Sequence, residues 1–246
     1  MTIESNTSSL ATIGETTSSC WSCGTMRAVQ FCSACGKVQP PKPVDYFTFF
    51  ALPRKLHLDT ALLEREFYEL SRKLHPDLCA RADKREQEWS LEQSSLLNDA
   101  YRTLKDPIRR TEYLLRLEGV ELEEQSKAAT EKARSTGEIK KQVVPPDLLE
   151  EVFELNMQLE ELRAQKKLGE DDPALVEEIG KQKLELEQKQ DSLAEELKTY
   201  WSNWDELVDS GTEENRRKIR DKMLDLLNRR SYIRNLVRDV SEVLEN

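Results

Sequence analysis

The chain has 246 residues, 37% of them hydrophobic and 34% charged, with eight glycines and a formal net charge of −10. That length holds one large domain or two to three small ones. The composition suits a soluble, mostly helical protein, and no run approaches the roughly 18 to 20 apolar residues of a membrane span. Residues 120–246 hold 21 basic and 31 acidic side chains, and so account for the whole net charge. An acidic half of this kind argues against a nucleic-acid partner, because phosphate binding needs a concentrated positive field.

Residues 1–19 contain no Lys or Arg, and only Glu4 and Glu15 are charged. They lack the basic start and apolar core of a signal peptide and the Arg-rich pattern of a transit peptide. This Ser/Thr-rich arm is expected to be a disordered tail. The missing transit pattern favours a bacterial cytoplasm over a mitochondrial matrix.

Four of the five cysteines, Cys20, Cys23, Cys32 and Cys35, form C-x2-C-x8-C-x2-C. In each pair, two thiolates two residues apart can grip one ion, and Gly24 or Gly36 permits the turn that aims backbone N–H groups at sulfur. Four thiolates close a tetrahedral site, which suits a structural ion rather than a catalytic one. Zinc is the expected cofactor, with iron in a rubredoxin-like site as the alternative. Two disulfides would need an oxidising compartment, for which there is no export signal. The module, residues 20–38, is too small to bury a core, so its folding energy must come from the ion, on the order of 10 kcal/mol. Gln39 to Pro43 (QPPKP) reads as a stiff extended linker, and the helices beyond it are expected to stand without the knuckle. Cys79 is left as a reduced thiol.

Residues 44–119 read as a small helical domain. DYFTFFAL gives a short apolar helix stopped by Pro53. Asp59 or Thr60 caps a second helix in which Leu63, Phe67, Leu70 and Leu74 recur at helical spacing, leaving Arg65, Arg72 and Lys73 on the outer face. Proline pushes the residue before it out of the α region, so this helix ends near His75, in the tripeptide His75-Pro76-Asp77. A third helix from about Lys84 carries Trp89, Leu96, Leu97, Ala100, Tyr101 and Leu104. Asp106 caps a fourth, with Pro107 at its first position and Gly119 at its end. The second and third helices should form an antiparallel hairpin whose tip presents the tripeptide. Taken alone, His75 could be a helix-ending surface histidine with Pro76 as breaker; its setting between two apolar-striped helices favours a docking element.

The arrangement resembles a J domain, and the run LLNDAYRTLKDPIRRTEYLLRLEGVEL, residues 96–122, resembles HscB, the co-chaperone of iron–sulfur cluster assembly. CWSCG…FCSACGKVQPP resembles the cysteine extension of those HscB relatives that carry one. Leu78 departs from the basic residue that many J domains have after the tripeptide, and Gln125 to Gln142 is a longer polar insertion than expected. The resemblance implies docking on a DnaK/HscA-type ATPase chaperone. His75, Pro76 and Asp77 would reach its interdomain region, while Arg65, Arg72 and Lys73 meet an acidic surface. On this reading the chain stimulates another protein's ATPase and carries no catalytic group itself.

Residues 120–145 read as a linker with that insertion, and residues 146–246 as an antiparallel three-helix bundle. Its first helix carries Leu148, Val152, Leu155, Leu159 and Leu162, a 4-3-4-3 packing seam. The second carries Ile179, Leu186, Leu193, Leu197, Trp204 and Val208, stops at Gly211, and is followed by a cap at Thr212. The third carries Ile219, Met223, Leu226, Ile233, Val237, Val240 and Leu244. Trp201 and Trp204 should pack in or beside the core. Leu149, Phe153 and Met157 form a second stripe about 100° around the first helix, either a wide core edge or an exposed binding strip. The HscB resemblance implies the strip: family members bind the IscU-type scaffold through apolar residues of this helix and an aromatic of the last, matched here by Leu149, Phe153 and Tyr232. Glu150 stands where relatives often have an apolar residue.

The fold class expected is therefore all-α, a J-domain hairpin and a three-helix bundle with a small zinc knuckle module in front. The first functional reading is an adaptor between an ATPase chaperone and an iron–sulfur scaffold. The second is a general J-protein whose zinc module handles unfolded clients; a zinc-ribbon nucleic-acid binder and an enzyme fit less well. Oligomeric state is not legible in the sequence.

Overall fold

A computed structural model of the protein describes residues 18–27, 30–120, 122, 144–170 and 172–245. The expected tail and the 125–142 insertion lie outside the described residues, apart from Ser18 and Ser19. The chain divides into two compact units, residues 1–110 and 111–246. Apart from one two-residue strand pair and one isolated bridge at its front, the described residues form only helices, turns and connecting segments. No helix among them is long and apolar enough to cross a membrane.

The first unit begins with two knuckles related by a shift of twelve residues. Strands β1 (Ser18–Ser19) and β2 (Met26–Arg27) pair antiparallel, with Ser19 opposite Met26; Phe31 pairs with Val38 in the same way. Cys20 N donates to Thr25 O at 2.9 Å and Cys32 N to Lys37 O at 2.8 Å. Gly24 and Gly36 both sit at φ +73°, where an L side chain is strained, and each donates to the carbonyl of the cysteine four residues back.

Helix α1 (Tyr46–Phe49) is capped by Asp45 and shorter than the apolar run suggests. Ala51, at φ 51°, turns the chain before Pro53 is reached. Helix α2 (Thr60–Leu74) starts on Asp59, whose carboxylate accepts from the N–H groups of Ala61 and Leu62. Helix α3 (Lys84–Lys105) is capped by Asp83. Helix α4 (Pro107–Leu117) follows Asp106, which accepts from Ile108 N and Arg109 N, both at 2.9 Å.

Helices α2 and α3 run antiparallel. Phe67 stacks on Tyr101 with ring centroids 4.1 Å apart. One turn earlier on α2, Glu64 accepts from the Tyr101 hydroxyl (2.9 Å) and from Lys105 Nζ (3.3 Å).

In the second unit, a 3-10 turn (Pro146–Leu148) leads into α5 (Leu149–Leu168), followed by α6 (Pro173–Ser210) and α7 (Glu213–Glu245). The seam Leu148, Val152, Leu155, Leu159 and Leu162 is buried throughout, against Ile179 and Leu186 of α6 and Ile233, Leu236, Val240 and Val243 of α7. On α7 the core takes Leu236 and Val243, while Val237 and Leu244 pack only partly against it. Trp201 and Trp204 are both buried. A Cβ at Gly211 would lie 2.6 Å from the Leu207 side chain, which explains a glycine at the end of α6.

The Tyr101 hydroxyl, followed by the Lys105 ammonium, holds the Glu64 carboxyl below its ordinary value of 4.5. Its contribution to stability is complete above that value and is lost as the pH falls through the lowered one. Glu64→Gln is therefore expected to flatten the fall in urea midpoint between about pH 5 and pH 3. An unchanged slope would show that the carboxylate contributes nothing to the hairpin.

Candidate functional site

The tip of the hairpin is built by a helix that cannot continue. His75 takes an extended conformation (φ −62°, ψ 129°) as the residue before Pro76 must. Pro76–Cys79 then forms one 3-10 turn. Such an ending leaves the last carbonyls of α2 without helical donors. Leu74 O is satisfied from α3: the hydroxyls of Ser90 and Ser94 both donate to it at 2.7 Å. His75 Nδ1 accepts from Asp77 N at 3.2 Å and lies 3.5 Å from Asp77 Oδ2. Both side chains stand open, 54% and 89% exposed. Leu78 is exposed as well, whereas Cys79 is buried and unbridged beneath the turn.

Arg65 and Arg72 lie on the exposed face of α2. Lys73 is exposed too, but its ammonium sits 4.6 Å from the centre of the Phe31 ring. One of the three expected docking cations is thus held by the cysteine module.

The four cysteines converge, with all their Sγ atoms within 4.8 Å of one another. Cys20–Cys35 and Cys23–Cys32 are each 3.7 Å apart. Four sulfurs at about 2.3 Å from a tetrahedral ion are separated by about 3.8 Å, so the residues present could hold such a metal. Hydrogen bonding favours thiolate at Cys20, whose pKa falls to about 6, first through the Cys23 backbone N–H and then through Ser22 and Gln39. The Lys37 backbone N–H also favours thiolate at Cys35, but burial and the three neighbouring sulfurs outweigh it and push Cys35 up to about 12. A cluster that cannot ionise all four thiols together is one that a divalent cation would complete.

The module does not hang from a linker. Trp21 meets Trp89 of α3 edge to face, with centroids 5.6 Å apart, and its indole N–H donates to Val38 O at 2.8 Å. Glu86, with its side chain only 4% exposed, accepts from Lys37 Nζ and from Val38 N. Gln93 donates to Gln39 O at 2.7 Å and to Gln30 O at 3.2 Å. Gln30 in turn donates to Phe49 O. The Gln39–Pro43 stretch forms no regular secondary structure, and Gln39 is fixed to α3. A buried carboxylate such as Glu86 is stable only with such partners, because its charge would otherwise stand uncompensated away from water.

Glu86, Ser90 and Gln93 are the positions that sequence reasoning missed. They continue upstream, at 4-3-4 spacing, the buried seam of Leu97, Ala100 and Leu104. Of the apolar positions of α3, Leu97, Ala100 and Leu104 are buried, whereas Trp89, Leu96 and Tyr101 are only partly so. A helix seam that turns polar for two turns was the available signal.

On the bundle, Leu149, Phe153 and Met157 are 59%, 66% and 60% exposed, so this stripe is not an edge of the core. Leu149, Glu150 and Phe153 line a shallow depression with Val144 and Pro146. Tyr232 does not line it; it is half-buried on α7 against the core. Burial, and then the Asp239 carboxylate, raise its hydroxyl above the ordinary value. An Asp147–Arg229 ion pair brings the start of α5 beside the turn of α7 that carries Tyr232.

No family model matches the chain. It is 33% identical over 148 residues to the iron-sulfur cluster co-chaperone protein HscB homolog of Arabidopsis thaliana, covering 60% of this chain and 53% of that protein. It is 39% identical over 111 residues to the iron-sulfur cluster co-chaperone protein HscB of Mus musculus, covering 43% and 47%. To the co-chaperone protein HscB homolog of Vibrio cholerae it is 46% identical over 79 residues, covering 32% and 46%. The chain thus spans about half the length of the curated relatives it matches. The crystal structure of human co-chaperone protein HscB shares the fold, with a TM-score of 0.55 and 24% identity, covering 91% of this chain and 96% of that one.

Replacing Ser90 and Ser94 together by alanine leaves Leu74 O without either donor. An unsatisfied group of this kind costs about 1–3 kcal/mol, to be read from urea unfolding of the first unit. No change would mean that water serves the carbonyl equally well.

Proposed function

From a chain of HscB type, we propose a co-chaperone of iron–sulfur cluster biogenesis that joins two partners. Its first unit docks on a DnaK/HscA-type ATPase chaperone and stimulates ATP hydrolysis there. Its bundle carries an IscU-type scaffold. The observation that supports this best is the exposed His75-Pro76-Asp77 turn, which follows the basic last turn of α2 and is pinned there by two serines of the neighbouring helix. Pinning matters because a docking loop that is already ordered loses less entropy on binding.

Arg65, Arg72 and Lys73 supply the positive field for the encounter, so docking should weaken as salt rises. Asp77, almost fully exposed, competes for a cation on the chaperone; His75 and Pro76 hold it at the required angle. The chain itself performs no bond-breaking step. Zinc at Cys20, Cys23, Cys32 and Cys35 is the proposed ion, as a structural one.

For the bundle, an exposed apolar strip among acidic residues is the kind of surface that marks an interaction site. Leu149 and Phe153 supply its anchors, and Tyr232 sits nearby on α7. Met157 extends the strip by one turn.

Two measurements test the reading. His75→Gln is expected to abolish ATPase stimulation while leaving helicity unchanged by circular dichroism; normal stimulation would refute docking through this turn. Phe153→Ala is expected to weaken scaffold binding several-fold while moving stability by less than about 1 kcal/mol. A loss of about 3–5 kcal/mol, as for a buried phenylalanine, with binding intact, would return Phe153 to the core.

A further inference from the structure

A knuckle pair that cannot bury a core would need only its ion if it were a free-standing appendage. Here its second half instead occupies the polar seam of α3. Lys37 and Val38 hold Glu86, the carbonyls of Gln30 and Gln39 hold Gln93, and Trp21 covers Trp89. Glu86 lies one turn before Ser90, whose hydroxyl pins the last carbonyl of α2 ahead of His75. From the other side of the same module, Phe31 holds Lys73.

Building on the reading of the hairpin tip as a chaperone-docking element, we propose that the four-cysteine module is a metal-dependent clamp on the hairpin. Ion occupancy fixes the first turns of α3, and through Phe31 the position of Lys73, so the metal sets the shape of the docking face without touching the partner. The physical sequence has three links. Residues 30–39 are tied back to the cysteine cluster by Cys32 N on Lys37 O and by Gln39 Nε2 on Cys20 Sγ. When the ion leaves, the knuckles, which have no apolar core of their own, open. Glu86 and Gln93 then exchange fixed partners for water, and the start of α3, no longer tied to residues 30–39, loosens. That loosening frees Ser90 and with it the carbonyl that ends α2. Lys73, no longer held over an aromatic face, must be ordered by the chaperone at the moment of docking.

Hydrogen exchange on the full chain tests the clamp directly, zinc-loaded and after chelation, with α5–α7 as the internal reference. Amides of residues 86–97 are expected to exchange at least about ten-fold faster after chelation, with those of α5–α7 unchanged. Unchanged exchange in α3, in a chain whose four cysteines have become open to alkylation, overturns the proposal. If a chelator fails to remove the ion, Cys20→Ser combined with Cys32→Ser takes its place in the same measurement, with the same two outcomes.

The link to Lys73 has its own test in two zinc-loaded variants. Phe31→Leu is expected to raise the concentration for half-maximal ATPase stimulation about three-fold, with the maximal rate unchanged, while Phe31→Tyr behaves as the parent. Equal values in all three chains overturn the positioning of Lys73 by Phe31. An intact exchange response in a chain that stimulates no ATPase would sink the co-chaperone reading and leave the clamp standing.

Discussion

A single backbone carbonyl, Leu74 O, carries more of this structure than its size suggests. Pro76 has no N–H to give and forces His75 out of the helix, so α2 must end with unpaired acceptors. Ser90 and Ser94 answer from the neighbouring helix. The tripeptide can then stand in solvent with its side chains unburied and its backbone still fixed. Rigid backbone with open side chains is what the proposed docking through this turn needs.

The helix that carries these serines is itself held along its buried seam. Its buried seam is apolar from Leu97 to Leu104 and polar from Glu86 to Gln93. The apolar half packs within the helical unit. The polar half faces the cysteine module, where charges and amides find partners in Lys37, Val38, Gln39 and Gln30. Such a seam trades apolar burial for specificity, because each polar group is satisfied in one arrangement alone.

Much of this was legible in the sequence. Caps at Asp59 and Asp106, the proline stop at His75 and the 4-3-4-3 seam of α5 each follow from local chemistry, and local chemistry needs no partner. The exposure of Leu149 and Phe153 was not legible, because two apolar stripes on one helix fit a wide core as well as a binding strip. Only the packing of α6 and α7 against the Leu148–Leu162 seam leaves the second stripe outside. The embrace of α3 by the knuckles was hidden for a related reason. It joins residues about 50 apart through Glu86 and Gln93, polar residues that read as surface until the partner is known. On α7 the core takes Leu236 and Val243, the residues just before Val237 and Leu244, and only the packing partners decide between two such neighbours on one helix face.

The adaptor reading requires one chain to engage two partners at once, so the rate of a DnaK/HscA-type ATPase measured with this chain and an IscU-type scaffold together is the most direct trial of it. Joint addition is expected to give a rate above the sum of the two separate stimulations, with Phe153→Ala retaining the chain's own stimulation but losing the excess. A rate no greater than that sum, with both partners shown to bind, would contradict the claim that the chain couples them.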